Sequence, residues 1–268
     1  MAAFTIGFIV PFVYGIFLSF CKFSTVTDWK WVGFKNYTRI FVVNGSVDTT
    51  FIHSIWYTAL FTVVSVLIIN IVSFAIAMAL TKGIRGTNLF RTVFFLPNLI
   101  GGIVLSYVWL MIFNSILQNY SKTIVSSEWS AFWGLIAVVC WQQIGYMMII
   151  YIAGIQNIPG ELIEAAKIDG CSYYTIFTKI IFPLMVPTMI TGCIFSFMWR
   201  WDDFLAALLY LSDPLKYPVS YALKMFSDPT AGSDWGAMFA MATLSLIPIF
   251  VIFLPMQKYL VEGIASTG

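Results

Sequence analysis

The segment from Ile158 to Gly170 reads IPGELIEAAKIDG and stands between two long apolar stretches of the chain. It is followed by Ile180 and by the pair Phe182-Pro183. The segment is compact and charged, in a sequence that is otherwise apolar. A short soluble helix-turn-helix between two apolar stretches predicts a surface that another protein grips.

The composition of the chain indicates that most of it lies in lipid rather than in water. Of 268 residues, 60% are hydrophobic, 18% are aromatic and only 10% are charged. A soluble domain carries about 25% charged residues, so this chain has too little polar surface to cover a globule. We therefore predict a polytopic, all-α membrane protein. The formal net charge of +2 argues against a nucleic-acid partner.

The cysteines and the single histidine argue against enzyme chemistry. Four cysteines are scattered along the chain, at spacings that fit neither a zinc site nor a disulfide framework. His53 is the one histidine, which leaves no basis for an imidazole metal cluster or for Ser-His-Asp catalysis. We predict no catalytic residue and no metal site, and we interpret His53 as an interfacial residue.

Six apolar stretches are candidates for crossing a bilayer, which takes about 20 residues. They cover residues 2–20, 51–80, 90–117, 132–155, 183–211 and 235–259. The third is expected to break near residues 96–98 and 101–102, where proline and glycines occur. We predict six transmembrane helices with both termini on the same side. Residues 1–50 would hold the first helix and an interfacial segment, and residues 51–262 the core, with a cytoplasmic loop at about 155–181.

The segment of residues 27–48 mixes aromatic and basic side chains. That pattern suits a helix lying in the headgroup region, and it suits equally an aromatic belt on an ordinary loop. Its bases leave the orientation open. Lys82, Arg85 and Arg91 mark the next loop as cytoplasmic by the positive-inside rule, whereas the loop between spans one and two carries its own set of bases. These are Lys22, Lys30, Lys35 and Arg39.

Local physics predicts two short helices in the charged segment. Glu161 and Glu164 would lie near the positive end of the first helix, and Asp169-Gly170 would break it. Ser172 can cap a second helix that runs through Lys179 and ends before Pro183. Ala165 and Ala166 would form a small, flat face for a partner. From local physics alone, an ordinary amphipathic linker is the favoured interpretation.

The spacing of the segment resembles a known motif. Glu164-Ala165-Ala166, three residues, Gly170, nine residues, Ile180, one residue and Phe182-Pro183 together resemble the EAA loop of importer permeases in the ATP-binding-cassette (ABC) superfamily. Only Phe182 departs, because the family usually has leucine there. The resemblance implies a type I importer permease fold.

Further segments resemble the carbohydrate-uptake branch, of the maltose and glycerol-phosphate type. They are residues 32–37 (VGFKNY), 94–98 (FFLPN), 201–205 (WDDFL) with 211–214 (LSDP), and 257–263 (QKYLVEG). Such transporters pair two different permeases. The first two segments resemble the first partner and the others the second, so this chain has features of both.

The resemblance implies a division of labour. The EAA loop would form a cytoplasmic coupling helix docked in a cleft of an ATPase subunit, which places residues 155–181 and both termini in the cytoplasm. No G-x-x-x-x-G-K-[ST] motif occurs, so ATP and Mg²⁺ would be bound by the partner. The expected assembly has a second permease, two ATPase subunits and an extracytoplasmic solute-binding protein, in the cytoplasmic membrane of a prokaryote. The expected coupling residues are Glu164, Ala165, Ala166, Asp169, Gly170, Ile180 and Pro183.

Polar residues in the predicted spans are candidates for a sugar path. Charged residues in a span usually face a cavity or pair with each other. One hypothesis puts the fifth-span residues on the path, with tryptophans stacking on sugar; the alternative is an internal Arg–Asp pair that locks the helix. The candidates are Trp199, Arg200, Trp201, Asp202 and Asp203, with Gln142 and Gln143 in the fourth span. Interhelical hydrogen bonding is an equal alternative for the two glutamines.

Two other functions fit parts of the sequence. A permease for a non-sugar solute would share the EAA loop. An ion-coupled secondary transporter would explain the apolar spans, but such carriers often show inverted repeats, and we find no convincing one.

Overall fold

The computed structural model describes residues 2–25, 27–43, 46–47, 49–120, 122–203 and 234–265. The predicted residues 204–211 of the fifth span lie outside these ranges. Helices dominate what is described. They are α1 (Ala2–Leu18), α2 (Lys35–Phe41), α3 (Thr50–Leu80), α4 (Thr87–Phe95), α5 (Gly102–Gln118), α6 (Glu128–Gln156), α7 (Gly160–Ile168), α8 (Tyr173–Trp201) and α9 (Trp235–Ala265). Short 3₁₀ turns cover Leu96–Leu99 and Ile124–Ser126.

The described helices account for most of the predicted spans. Four are long and apolar enough to cross a membrane: α3, α6, α8 and α9. The pair Thr87–Leu99 and Gly102–Gln118 is bent by 99° and would make a fifth, while Ala2–Leu18 is a shorter apolar helix. The break predicted in the third span is confirmed. Pro97 lies in the 3₁₀ turn, and Ile100 after it is extended, because proline cannot continue the α-helical hydrogen bonding.

The sequence predicts that the second helix of the charged segment ends before Pro183. That prediction is wrong, because this helix forms the first turns of α8, which continues past Pro183 to Trp201. A π-turn over Phe177–Ile181 joins its first turn to the membrane helix. A proline ring normally clashes with the carbonyl four residues earlier, here that of Lys179. In a π-turn each carbonyl accepts a hydrogen bond from the N–H five residues later instead of four. This widens the turn ahead of Pro183. The chain therefore runs as one helix from Tyr173 to Trp201.

Among the described residues of the aromatic and basic segment 27–48, only α2 is helical. Before it, β1 (Cys21–Thr25) and β2 (Asp28–Trp31) form an antiparallel hairpin, and after it β3 (Val42–Val43) pairs with β4 (Ser46–Val47). A headgroup-region helix over the whole segment is therefore wrong. Gly33, with φ of +60°, turns the chain between β2 and α2, a conformation that glycine adopts without strain.

The chain divides into two compact units. The first comprises Met1–Ala59 and Asp202–Val251. In it Ile40 and Phe51 pack with Ala240 and Met241. The buried Asn36 amide donates to the carbonyls of Ser19 and Cys21, both at 2.8 Å. This asparagine of the VGFKNY segment thus ties α2 to the end of α1 and to the hairpin.

The second unit comprises Leu60–Trp201 and Ile252–Gly268, and a polar network lies in its interior. The Tyr151 hydroxyl donates to Asn70 Oδ1, and Asn70 Nδ2 donates to Ser196 Oγ at 3.3 Å. The network joins α3, α6 and α8. Gly192 leaves room for it, because a Cβ there would lie 2.6 Å from the Tyr151 hydroxyl.

We expect Gly192→Ala to lower the free energy of unfolding by about 1–3 kcal/mol, as overpacking does. Tyr151→Phe alone should cost about 0.6 kcal/mol, typical of one hydrogen bond between membrane helices. In the Gly192→Ala background, Tyr151→Phe should restore stability, because it removes the atom nearest the new methyl group. Unfolding titrations of the four proteins in detergent measure this; strictly additive losses would contradict the packing.

Candidate functional site

Helix α7 is a short, capped element between two membrane helices. It begins after Pro159, with Glu161 in its first turn and Lys167 in its last. Both charges lie where the helix dipole favours them. The helix ends as predicted at Asp169-Gly170, where Gly170 has φ of +76°.

The end of α7 is a Schellman motif. The Cys171 N–H donates to the Ala166 carbonyl at 2.9 Å, and the Gly170 N–H donates to the Lys167 carbonyl at 3.1 Å. These two bonds satisfy carbonyls that a helix end otherwise leaves open, and the motif requires a left-handed residue at Gly170. The predicted cap of the next helix is also confirmed, because Ser172 Oγ accepts from the Thr175 N–H at 3.2 Å. The turn between α7 and α8 is thus fixed at both ends.

The exposed face of α7 differs from the one predicted. Glu164 and Ala165 are exposed, but only 7% of Ala166 is accessible, so it packs against its own chain. Ala165 alone therefore offers a small surface to a partner. Ile180 is half-buried and Pro183 exposed in the first turns of α8.

Large apolar side chains are exposed on α7 and in the first turn of α8, and the sequence interpretation did not single them out. Ile168 is 86% exposed and Tyr173 84% exposed, with Tyr174 and Leu162 also accessible. In the sequence, the signal that could have identified these side chains is that they are large and apolar within a charged segment. An exposed apolar patch with a polar rim marks a protein contact.

Helices α6 and α8 bring part of the predicted path together. The rings of Tyr146 and Trp199 meet edge to face with centroids 5.2 Å apart, and Phe195 stacks on Trp199 at 6.0 Å. Tyr146 was not predicted. It lies four residues after Gln142, on the same side of α6, which is the signal that could have identified it.

The two candidate glutamines differ in their environment. Gln142 Nε2 donates to the Ile100 carbonyl at 3.1 Å, at the break of the bent span. Only 3% of Gln143 is exposed, and both its amide nitrogen and its amide oxygen lack a hydrogen-bonding partner among the described residues. Leaving a buried amide unsatisfied costs about 1–3 kcal/mol. Of the two glutamines, Gln143 is therefore the one whose amide is still available for a hydrogen bond.

The charged residues of the predicted fifth span lie at the end of helix α8 and directly after it. Helix α8 ends at Trp201, which is buried and stacks on Phe197 at 5.5 Å. Arg200 is in the last turn, where the helix dipole favours a cation. Asp202 and Asp203 follow the helix.

The groove between α3 and α8 is a poor sugar site. It has a volume of about 530 Å³, and its walls are almost wholly apolar. They include Leu67, Ile71, Phe74, Met78 and Met189. Within the described residues no cluster of three metal-ligating side chains occurs either.

Comparisons with known proteins assign the family. Residues 71–266 match the family described as binding-protein-dependent transport system inner membrane component. The probable starch degradation products transport system permease protein AmyD of Thermoanaerobacterium thermosulfurigenes is 40% identical over 187 residues, 67% of this chain and 62% of that protein. The chain thus spans less than two thirds of that relative. The probable ABC transporter permease protein YurM of Bacillus subtilis (strain 168) is 31% identical over 224 residues, 83% of this chain and 70% of that protein.

A solved structure shares the fold. It is that of a bacterial alginate ABC transporter in complex with an alginate pentasaccharide-bound periplasmic protein. The TM-score is 0.77 at 18% identity, over 94% of this chain and 88% of that chain. The chain belongs to the family of binding-protein-dependent transport system inner membrane components.

Proposed function

We propose that this chain is a permease subunit of an ATP-driven importer that carries a sugar or a related polyol or glycerol phosphate across the cytoplasmic membrane. The capped helix α7, exposed between two membrane helices, is the observation that carries the proposal. The names of relatives support the sugar class, since AmyD is named for starch degradation products and the similar structure includes a periplasmic protein bound to an alginate pentasaccharide.

The partners follow from what this chain lacks and exposes. No ATP-binding motif occurs, so two separate ATPase subunits would bind ATP and Mg²⁺. One of them would receive the exposed face of α7. A second permease would complete the pore, and an extracytoplasmic solute-binding protein would deliver the sugar. With α7 in the cytoplasm, both termini are cytoplasmic as well.

The coupling step can be described from the geometry of α8. The Schellman turn at Gly170 and the cap at Ser172 join α7 to α8, which runs without a break to Trp201. Closure of the ATPase subunits would pull on α7 and move α8 as a rod. Trp199, near the far end of α8, would then shift relative to Tyr146. Rigid-body motion of this kind is a common switching device.

The chemistry near Trp199 suits a sugar. Aromatic rings cover the apolar face of a pyranose, and amides bond its hydroxyls. Trp199 and Tyr146 would supply the rings. Gln143, three residues before Tyr146 on α6, would supply an amide whose donor and acceptor are both unused in the described structure. Arg200, in the last turn of α8, would extend the polar path.

We expect Gln143→Leu to raise thermal stability and to lower sugar uptake at least tenfold. In the wild type, the buried amide without partners destabilises the fold by about 1–3 kcal/mol, and the change removes that cost. The change also removes a ligand for the sugar. Gln142→Leu is the matched control. It breaks the bond to the Ile100 carbonyl and should lower stability. Thermal unfolding and radiolabelled uptake measure both effects; a less stable Gln143→Leu protein would contradict this role.

One experiment separates the proposal from its alternatives. The chain is purified with candidate ATPases and a second permease, and ATP hydrolysis is measured with and without the solute-binding protein. Hydrolysis stimulated by a sugar-loaded binding protein supports the proposal, and stimulation only by a loaded non-sugar receptor would favour the other importer class. Flux driven by an ion gradient without ATP would overturn both.

A further inference from the structure

The hairpin of β1 and β2 places two lysines opposite each other. Lys22 and Lys30 are cross-strand partners, and both are exposed. Like charges directly opposite in a sheet destabilise it, since their Cβ atoms lie about 5 Å apart. In the described part of the chain neither lysine has an ion-pair partner, whereas Arg39 is paired with Asp234 at 3.0 Å. An anion bound between the two lysines would relieve the repulsion between their charges.

The opposite face of the hairpin fixes its depth. Trp29 and Trp31 point away from the lysines and contact Phe17, at the end of α1, with ring centroids 4.9 and 5.7 Å apart. Trp31 is nevertheless 60% exposed. Half-covered indoles at the end of an apolar helix are typical of the boundary between hydrocarbon and headgroups. The lysines therefore lie at headgroup level.

Charge along this part of the chain supports the same reading. Residues 19–43 contain four basic residues and one acidic residue, Asp28. Asp28 lies at the start of β2, opposite Thr25 and not opposite either lysine. Apolar side chains of α1, including Phe4 and Phe8, are exposed and require a lipid or protein cover.

We propose that Lys22 and Lys30 together bind the phosphodiester headgroup of an anionic phospholipid, with Trp29 and Trp31 anchoring the hairpin at the interface. Juxtamembrane lysines gain about 1 kcal/mol each from anionic lipid, a factor of about five. The two lysines together should therefore favour an anionic over a zwitterionic lipid about 25-fold. This proposal is independent of the cargo and of the coupling loop.

The test measures lipid preference on the full chain. The protein is purified in detergent with equal amounts of phosphatidylglycerol and phosphatidylcholine, and native mass spectrometry counts the retained lipids. Wild type should retain phosphatidylglycerol preferentially, and Lys22→Gln/Lys30→Gln should lose most of that preference. Lys82→Gln/Lys122→Gln removes the same charge from two other exposed lysines that do not face each other across a hairpin, and should lower the preference much less.

A second variant separates binding from folding. Lys22→Glu creates a cross-strand ion pair with Lys30, so the variant should be at least as stable as wild type in phosphatidylcholine. Because the pair neutralises both charges, the variant should not retain phosphatidylglycerol preferentially. An unchanged preference in the double variant, or an equal loss in the control, overturns the proposal. If the double variant keeps its lipid preference but loses receptor-stimulated ATP hydrolysis in pure phosphatidylcholine, the lysines dock a protein and the proposal is wrong.

Discussion

Glu164→Lys is expected to reduce ATP-driven uptake at least about 100-fold while the protein stays in the membrane at normal amounts. Glu164 is exposed on α7, and among the described residues its side chain has no ion-pair partner. Its reversal puts a cation where the docked ATPase would meet a carboxylate, and a misplaced charge in an interface costs about 2–5 kcal/mol. Uptake into vesicles, with membrane content measured by blotting, gives the ratio.

The control for this charge reversal is Asp28→Lys. Asp28 is also exposed, but it lies on the hairpin, which takes no part in the proposed ATPase contact. That variant should transport normally. Glu164→Lys with normal uptake would contradict the coupling role of α7.

Gly170→Pro should give the same loss of uptake by another route. Proline is fixed near φ of −65° and has no N–H, whereas Gly170 needs φ of +76° and donates to the Lys167 carbonyl. The turn between α7 and α8 would open while both membrane helices stay intact. Loss of uptake from both Glu164→Lys and Gly170→Pro would identify the loop itself as the coupling element.

Gly145→Ala is expected to destabilise the protein by at least about 3 kcal/mol. A Cβ at this position would lie 1.9 Å from the Phe94 carbonyl oxygen and 2.8 Å from Phe95 Cα. The obstacle is backbone, which cannot rotate away as a side chain can, so α4 and α6 would have to separate. Overpacking costs about 1–3 kcal/mol even when side chains can adjust.

Gly7→Ala is the matched control, because nothing lies within 4 Å of a Cβ built at that position in α1. Alanine in a helix interior is better than glycine by about 0.5–1 kcal/mol, so this variant should be neutral or more stable. Unfolding titrations in detergent compare the two. Equal stability of Gly145→Ala and wild type would show that α4 and α6 do not meet backbone to backbone.

The elements that the sequence predicted well have strong local signals. The break near Pro97 follows from a missing N–H, and the end of α7 at Gly170 follows from glycine's access to positive φ. The Ser172 cap is likewise local. Long apolar runs also fix where α3, α6 and α9 lie, because the bilayer sets their length.

The features that were missed depend on the partner of each residue. Trp29-Lys30-Trp31 alternates with the period of a strand, but in an aromatic, basic segment it was interpreted as a headgroup helix or a loop. Ala165 and Ala166 look alike in sequence, and only packing decides that Ala166 is buried. Tyr146 is one of 13 tyrosines, so its contact with Trp199 could not be selected without coordinates. Gly145 likewise carries no mark of its close approach to Phe94.

Cys171 offers the most direct measurement of the central claim, that α7 is a cytoplasmic docking element for an ATPase. Its side chain is exposed beside the Schellman turn, while Cys21 and Cys140 are buried. Lys122→Cys in a Cys171→Ser background reports on the loop before α6, which is expected on the opposite side. A membrane-impermeant maleimide should label Cys171 only in inside-out vesicles, and an added ATPase partner should slow that labelling. Labelling of Cys171 from outside, or at a rate that the ATPase does not change, would contradict the claim.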